Sequence, residues 1–154
     1  MFSFLHNPSP QQQLLSSKLY SEANFYKAFI KDLKQAKRNI IIDSSYLTET
    51  RVKYLAPLLQ KLTKRKIKVR INTRDFDHHN HAMRLQACKA LQILKTTGVN
   101  VYAYKDRRHF KLAIIDKAIL WEGSLNILSH SNSREVMRRS QSSKLCHRMI
   151  KFIN

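Results

Sequence analysis

The sequence predicts an α/β fold, a layered sandwich of helices packed on a mixed β-sheet. Amphipathic helical segments first alternate with short apolar strands, and two strands joined by a short turn follow them. The chain has no internal repeat, and its 154 residues suffice for one domain with a buried core. We expect residues 1–20 to be an N-terminal lead-in and residues 21–154 to form a single domain.

The lead-in is followed by an amphipathic helix and a buried strand. Prolines and glutamines at residues 8–13 disfavour regular structure there. Ser21 and Glu22 suit the start of a helix, as a capping residue and a first-turn acid. The apolar residues that recur at helical spacing are Tyr26, Phe29, Ile30 and Leu33. The run at residues 39–43 is typical of a strand buried on both faces.

A second helix, a strand and a third helix come next. The second helix is predicted at residues 51–64, with an interruption or a start near Pro57, because proline cannot donate a helical hydrogen bond. Apolar and polar residues alternate from Ile67 to Asn72, which predicts a strand with one polar face. A loop at residues 73–80 leads to the third helix, which we expect Gly98 to cap. The apolar residues of that helix are Met83, Ala87, Ala90, Leu91 and Leu94.

Three strands are predicted after the third helix, at residues 101–104, 109–115 and 119–123. The last two read as a hairpin whose turn is Asp116-Lys117. A two-residue turn would pair Lys111 with Glu122 and His109 with Ser124, and would place them on one polar face. The opposite face would carry Phe110, Leu112 and Ile114. Residues 142–154 are expected to form either a closing helix or a partner contact.

Composition indicates a polyanionic partner in a reducing compartment. Lys and Arg outnumber Asp and Glu by 29 to 10, a formal charge of +19, so nucleic acid is the first candidate and an anionic membrane surface the second. The N-terminus resembles neither a secretory signal nor a membrane anchor, which predicts a cytoplasmic protein with no stable membrane association. Cys88 is expected to be a buried thiol, and Cys88 and Cys146 have no spacing typical of a metal site.

The segment HFKLAIIDKAILWEGSLN, residues 109–126, contains the motif that predicts chemistry. A histidine and a lysine two residues apart in a strand project from one face, so one can attack phosphorus while the other holds its oxygens. The segment resembles the signature of the phospholipase D superfamily, which is His-x-Lys, four residues, Asp, six residues and Gly-Ser-x-Asn. All six positions match: His109, Lys111, Asp116, Gly123, Ser124 and Asn126. The resemblance implies the α/β/α sandwich of that superfamily.

The resemblance also implies transfer of a phosphodiester through a covalent phosphohistidine. His109 would then be the nucleophile or the general acid, since histidine exchanges protons near neutral pH. Lys111 and Asn126 would bind the non-bridging oxygens, where negative charge accumulates in the transition state.

The other motif positions would support the site rather than react. By the same resemblance, Ser124 would fix the site by hydrogen bonding and Asp116 would have a structural role at its turn. Glu135 lies where the superfamily has a carboxylate that orients the histidine, and it would select the tautomer.

The mechanism needs two histidines, and this chain carries one copy of the motif. Small nucleases of the superfamily solve this by dimerisation, so we predict a homodimer with one composite site; pairing with a different subunit is the alternative. No metal or other cofactor is expected, because Lys111, Asn126 and their dimer mates supply the electrophilic stabilisation. The loop residues Asp75, Asp77, His78, His79 and His81 imply no fixed ligand geometry, and we interpret them as surface or substrate-contacting residues.

Basic residues on several segments predict that the phosphodiester belongs to a nucleic acid, with DNA favoured over RNA and little sequence specificity. The candidate nucleic-acid-binding residues are Lys64, Arg65, Lys68, Arg70, Arg74, Arg107, Arg108 and Arg138. Two alternatives stay open. One is a phospholipase D-type lipid hydrolase. The other is a non-cleaving DNA-binding or accessory module, because residues 44–75 resemble phospholipase D-like domains found with helicases.

Overall fold

The computed structural model describes residues 9, 17–77 and 79–154, and these form seven strands and four helices. The strands are β1 (Lys18–Ser21), β2 (Asn39–Ser44), β3 (Lys68–Arg74), β4 (Asn100–Tyr104), β5 (Lys111–Ile115), β6 (Ile119–Gly123) and β7 (Val136–Gln141). The helices are α1 (Phe25–Gln35), α2 (Glu49–Lys64), α3 (His81–Lys95) and α4 (Ser143–Ile153).

All seven strands belong to one sheet, in the order β1-β7-β6-β5-β2-β3-β4. The strands β2, β3 and β4 are parallel neighbours, as expected for strands joined by helical crossovers. The strand β5 joins them antiparallel to β2, and β6, β7 and β1 continue the antiparallel half. The prediction of a mixed sheet is therefore confirmed.

Helices cover both faces of the sheet, as the α/β/α prediction requires. The helices α1, α2 and α3 bury the larger core against one face, and α4 buries a smaller cluster against the other. Trp121 is fully buried in the larger core, and its indole N–H donates to Asp32 Oδ2 at 2.8 Å. Arg139 also donates to that carboxylate, at 2.7 Å, so the polar atoms at this buried position are paired.

The N-terminal boundary differs from the prediction. Residues 18–20, assigned to the lead-in, form most of β1 and pair with β7. Ser21 ends that strand, and α1 begins at Phe25 after Asn24, whose side chain accepts from the Ser21 amide at 2.9 Å. Ser21 and Glu22 thus lie close to a real helix start. The pairing of β1 with the distant β7 moves the start of α1 by about one turn, to Phe25. Apart from Ser9, the proline and glutamine stretch lies outside the described residues.

The helix α2 runs without interruption through Pro57, so the break expected there is wrong. Thr48 caps its start by accepting from the Arg51 amide at 3.4 Å. Pro57 and Lys53 are both exposed, so water can pair the Lys53 carbonyl that proline leaves without its helical donor.

The hairpin register also differs from the prediction by one residue. Its loop has three residues, and Ile115 pairs with Ile119, which brings Leu112 rather than Lys111 opposite Glu122. Asp116 and Lys117 both adopt positive φ, at 54° and 53°, in a left-handed turn that the sequence pattern does not specify. The apolar face is confirmed, because Phe110, Leu112 and Ile114 all pack in the cluster under α4.

Three smaller expectations can be compared directly. Residues 142–154 contain the closing helix α4, which Ser142 caps by accepting from the Leu145 amide at 3.2 Å. Cys88 is exposed on α3, so the prediction that it is buried is wrong; Cys146 is the buried thiol. Gly98 has positive φ but lies beyond the C-cap of α3, which is Thr96.

Candidate active site

The motif histidine lies at the edge of the sheet where the parallel strands end. β2 ends at Ser44, which pairs with Lys111 at the start of β5. Ser45 follows the end of β2 and His109 precedes β5, so the two residues meet at this edge. Polar groups at the carboxyl ends of parallel strands are where α/β folds place their ligands.

Two side chains contact one nitrogen of the His109 ring. The Nδ1 atom lies 3.0 Å from Lys111 Nζ and 3.2 Å from Ser45 Oγ. Lys111 also donates to the His109 carbonyl at 3.2 Å, and Ser45 Oγ donates to the Phe110 carbonyl at 3.1 Å. Within the described part of the chain, Nε2 makes no hydrogen bond. The second ring nitrogen is therefore available to a substrate.

The electrostatics of this pair favour a neutral imidazole. Burial, the Lys111 ammonium and the Arg74 guanidinium together lower the pKa of His109 below its usual 6.5. Burial also lowers the pKa of Lys111, while the Glu135 carboxylate opposes that shift. A histidine with a lowered pKa retains a free lone pair at neutral pH, as a nucleophile requires.

Glu135 is near the site but is not seen to orient the histidine. Among the described residues, its side chain accepts hydrogen bonds from Ser124 Oγ and from Ser133 Oγ. The Val136 amide donates to the same Ser124 hydroxyl at 3.1 Å. Ser124 and Glu135 thus hold the start of β7 beside the end of β6. In this structure Ser45, rather than Glu135, contacts the His109 ring.

Gly123 is required by close packing of two strands. A Cβ atom at this position would lie 2.1 Å from the Val136 carbonyl oxygen and 2.9 Å from the Met137 Cα. Both neighbours are backbone atoms and cannot rotate away. Any larger residue would push β7 and Glu135 away from the motif, which gives the motif glycine a steric explanation.

Asn126 lines a second cavity, which the Tyr46 ring also borders. Its Oδ1 is buried and has no hydrogen-bond partner among the described residues. The Tyr46 ring contacts His109 edge-on, with 5.7 Å between centroids, and also lines the cavity that holds Asn126. Tyr46 therefore connects the two parts of the motif.

Asp116 lies at the opposite end of the sheet from His109. Its carboxylate accepts from the backbone amides of Lys37 and Arg38 at 2.8 Å each and of Asn39 at 3.1 Å. These bonds tie the β5–β6 turn to the entry of β2. The position agrees with the structural role that the resemblance implied.

The candidate nucleic-acid-binding residues separate into two groups. Arg74, Arg107 and Arg138 lie near the motif: Arg74 acts electrostatically on His109, Arg107 precedes it by two residues, and Arg138 lines the cleft that His109 and Lys111 border. The other group lies at the opposite end of the strands, roughly 16 Å from the motif at about 3.3 Å per strand residue, and consists of Lys64, Arg65 and Lys68.

Several of those basic side chains already have partners. Arg65 donates to the carbonyls of Lys34 and Ala36 and so closes the end of α1. Arg70 donates to Asn72 at 2.8 Å and to the Tyr104 hydroxyl at 2.5 Å.

Arg108 is not available to a phosphate, contrary to its assignment from sequence. It is 7% exposed and pairs with Asp43 at 3.2 Å and with Asp106 at 2.7 Å. Burial raises the pKa of Asp43, while Asn72 and Arg108 oppose that shift. The buried network supports the segment that leads into His109.

Ser45, Tyr46 and Asp43 are the site residues that the sequence reasoning missed. A signal was available, because polar residues at positions 43–45 directly follow a buried apolar strand. Nothing local indicates, however, that Ser45 meets a histidine 64 residues later. That contact depends on the pairing of β2 with β5.

The histidine-rich loop does not form a metal site among the described residues, in which no group of three potential ligands converges. His79 lies between the Tyr46 and Phe76 rings at centroid distances of 5.2 and 5.3 Å. His78 lies outside the described residues.

Comparison with known proteins shows the family and the fold. The model of the family described as "Cardiolipin synthase, PLD-like domain" matches residues 29–154, which is most of the chain. The chain belongs to this phospholipase D-like family. Its fold and family support a phosphodiesterase, a hydrolase of phosphodiester bonds. No curated protein sequence matches the chain significantly.

Solved structures with the same fold come from bacteria and archaea. Nuc of Salmonella typhimurium, a phospholipase D family member, has a TM-score of 0.70 at 15% identity, over 89% of this chain and 90% of its own. NucT of Helicobacter pylori has a TM-score of 0.68 at 19% identity, over 89% and 92%. The archaeal chromatin protein TrmBL2, described as having a novel mode of DNA binding, has 0.57 at 14%, over 87% and 49%.

None of the helices in the described ranges combines the length and apolar character needed to cross a bilayer. The cytoplasmic location expected from the sequence stays a prediction.

Proposed function

We propose that this protein is a metal-independent endonuclease that cleaves DNA or RNA through a phosphohistidine intermediate in a homodimeric site. The observation that carries the proposal is the His109 ring. It is held by Lys111 and Ser45 on one nitrogen, has a lowered pKa and leaves its other nitrogen unbonded within the described residues.

The proposed reaction has two steps. His109 Nε2 attacks phosphorus, the bond from phosphorus to the leaving oxygen breaks, and the partner's histidine protonates that oxygen. Water, deprotonated by the same partner histidine, then breaks the bond from phosphorus to Nε2. Lys111 and Asn126 hold the non-bridging oxygens as negative charge develops.

The tautomer needed for attack differs from the one that the Lys111 contact favours, because an ammonium can only donate and so requires an unprotonated Nδ1. For Nε2 to have a free lone pair in a neutral ring, Nδ1 must carry the proton. Ser45 Oγ can accept a hydrogen bond from that N–H, because its own hydrogen is donated to the Phe110 carbonyl. Lys111 cannot donate to a protonated Nδ1, so its ammonium is released to the phosphate when substrate binds.

A second copy of the chain is the partner that the site requires. A cleft of about 500 Å³ borders His109 and Lys111, and its other walls are largely apolar. Three exposed apolar side chains line it: Leu19 at 66% exposure, Val136 at 49% and Phe152 at 73%. Exposed apolar residues clustered at a site mark an interface, and a two-fold axis there would bring two histidines together.

Charge and aromatic groups favour nucleic acid as the substrate. Arg74, Arg107 and Arg138 flank the motif on three separate segments. Further along the sheet, the exposed Tyr102 ring lies under Arg70, with 5.1 Å from guanidinium carbon to centroid. Basic and aromatic groups together are typical of surfaces that follow a phosphate backbone and stack on bases.

The test is hydrolysis of labelled DNA, RNA and phosphatidylcholine vesicles in excess chelator by the parent, His109→Ala and His147→Ala. We expect nucleic-acid cleavage that survives chelation, falls by about a thousandfold or more in His109→Ala and is unchanged in the His147→Ala control. Cleavage that stops on chelation would contradict the metal-independent mechanism.

A phospholipid is the second candidate substrate, because Leu19, Val136 and Phe152 offer an apolar surface beside the histidine. Vesicle hydrolysis without nucleic-acid cleavage would select it. Binding of DNA without hydrolysis of any substrate would instead select the accessory module.

A further inference from the structure

A second cavity, of about 370 Å³, adjoins the motif at Asn126, within the size range of ligand pockets. Its walls include Tyr46, Leu47, His79 and Met83. None of the described residues lining it has a carboxylate, an ammonium or a guanidinium group, although the chain has 29 Lys and Arg residues. The cavity therefore suits an uncharged part of the substrate rather than a second phosphate.

Two rings line this cavity near the histidine, those of Tyr46 and His79. The His79 ring is inclined by 32° to the Tyr46 ring and by 32° to the neighbouring Phe76 ring. Tyr46 also contacts His109 edge-on, at 86°. Stacking on aromatic side chains is how proteins bind bases without sequence preference, so these rings suit a planar group attached to a phosphate beside His109.

Polar atoms in this region lack partners. Both nitrogens of the His79 ring and Oδ1 of Asn126 are buried without a hydrogen bond among the described residues. Buried polar groups are normally paired, so these atoms indicate a ligand that pairs them. Burial, with Arg74 nearby, lowers the pKa of His79, which leaves the ring neutral with one donor and one acceptor. Nucleobases present both kinds of group at their edges.

We propose that this cavity binds a nucleobase of the nucleotide next to the scissile phosphate, with His79 pairing the base edge and Tyr46 supporting its face. The assignment rests on the proposed nuclease function and deepens it. A base can enter the cavity only after leaving a double-helical stack, so single strands are the preferred substrate.

The test compares kcat/KM on a single-stranded oligonucleotide with that on an oligonucleotide of equal length made of abasic residues. We expect the parent to cleave the base-containing strand about tenfold faster, the scale of one or two hydrogen bonds. His79→Phe retains a ring between Tyr46 and Phe76 but removes both nitrogens, so it should lose that preference and cleave the abasic strand as the parent does. His147→Phe, the same change on the exposed face of α4, should behave as the parent.

Ala82→Trp provides a second variant that leaves His79 in place. Ala82 is exposed in the first turn of α3 and lines the cavity, so a large side chain there obstructs the cavity without disturbing the core. It should also abolish the preference for bases, with a thermal unfolding midpoint equal to the parent's as evidence that it is folded.

Two results would overturn the base-binding assignment alone: equal cleavage of both strands by the parent, or equal slowing of both strands by His79→Phe. A parent that cleaves neither strand would contradict the nuclease function itself, and the two failures are thereby distinguished.

Discussion

At the scale of single residues, the proposed chemistry depends on competition for one nitrogen. Ser45 and Lys111 both contact His109 Nδ1, but only the hydroxyl can accept a hydrogen bond from a protonated Nδ1. In the proposed mechanism Lys111 therefore has two roles: its charge lowers the pKa of the ring, and its ammonium binds the phosphate. Two predictions separate these effects.

The first prediction concerns the pKa of His109. Because burial and nearby cations disfavour the imidazolium, the ring should titrate below 6.5, and kcat/KM should fall on acidification only below that pH. Lys111→Met removes the lysine charge, which is the second-largest cause of the lowered pKa, and should raise the pKa of His109 toward 6.5. Titration of the His109 ring protons by NMR measures both values. A pKa above 6.5 in the parent would contradict the electrostatic account.

The second prediction concerns Ser45 as a positioning residue. Ser45→Ala removes the acceptor for Nδ1–H, so kcat should fall by about tenfold with little change in KM. The ring ¹⁵N shifts of His109 should show less of the Nδ1–H tautomer, whereas Ser45→Thr, which keeps a hydroxyl, should restore part of kcat. Ser143→Ala, at an exposed serine on α4, is the matched control. Unchanged ¹⁵N shifts in Ser45→Ala would remove Ser45 from the mechanism.

At the scale of elements, the site is assembled where β2, β3 and β6 end and β5 begins. The backbone between β4 and β5 must leave the sheet and return, and the buried Arg108 holds it to Asp43 on β2. Arg108 also contacts the face of the Tyr104 ring on β4, with 3.5 Å from guanidinium carbon to centroid. One side chain thus joins the loop before His109 to two strands.

The third prediction follows from the burial of that pair. Arg108→Met leaves the Asp43 carboxylate buried without its cation, so the free energy of unfolding should fall by about 3 to 5 kcal/mol. Adding Asp43→Asn should recover part of the loss, because a neutral amide costs less to bury. Urea unfolding measures the parent, the two single variants and the double variant, and exposed Arg107→Met is the control. Additive losses in the double variant would show that the pair is not coupled.

At the scale of the whole molecule, charge and exposed apolar surface have different expected roles. The formal charge of +19 attracts a polyanion from any direction, whereas Leu19, Val136 and Phe152 concentrate apolar surface beside the motif. We therefore propose that the charge provides the affinity for nucleic acid and that the apolar residues assemble the paired site.

The fourth prediction tests assembly. Phe152→Asp places a charge in the proposed interface, so it should give a monomer by sedimentation velocity and reduce nuclease activity by at least about a hundredfold. Leu85 is also exposed but lies on α3, away from the cleft, so Leu85→Asp should remain dimeric and active. A monomeric parent with full activity would refute the homodimer.

The fifth prediction concerns salt. If about six phosphates are neutralised, the logarithm of affinity for duplex DNA should fall with the logarithm of salt concentration at a slope near −5. His109→Ala allows binding to be measured without cleavage. Arg138→Ala should reduce the slope by about one and Lys64→Ala should not, because Arg138 lines the cleft and Lys64 lies at the opposite end of the strands. Equal effects of the two changes would contradict the division of the basic residues.

Local patterns in the sequence were enough for the fold class, the position of most helices and strands, and the six-residue motif. The alternation at residues 109–115 correctly assigned Phe110, Leu112 and Ile114 to one apolar face, because side-chain direction in a strand depends only on its period of two. The other face is polar only at its start, since Ala113 and Ile115 pack in the larger core. The hairpin register was predicted wrongly: the bond from the Ala118 amide to the Ile115 carbonyl closes the turn at Asp116 and Lys117, but Ile119 rather than Ala118 pairs with Ile115.

Contacts between distant segments could not be predicted from the sequence and are seen only in the folded structure. The contact between Ser45 and His109, the burial of Arg108 and the partners of Arg65 all join residues that only strand order and helix packing bring together. The sequence showed which chemical groups were present and which way each strand faced, because those properties are local. Which nitrogen of His109 is free, which cations are already paired and what lies beside Asn126 depend on the summed packing of the sheet and its helices.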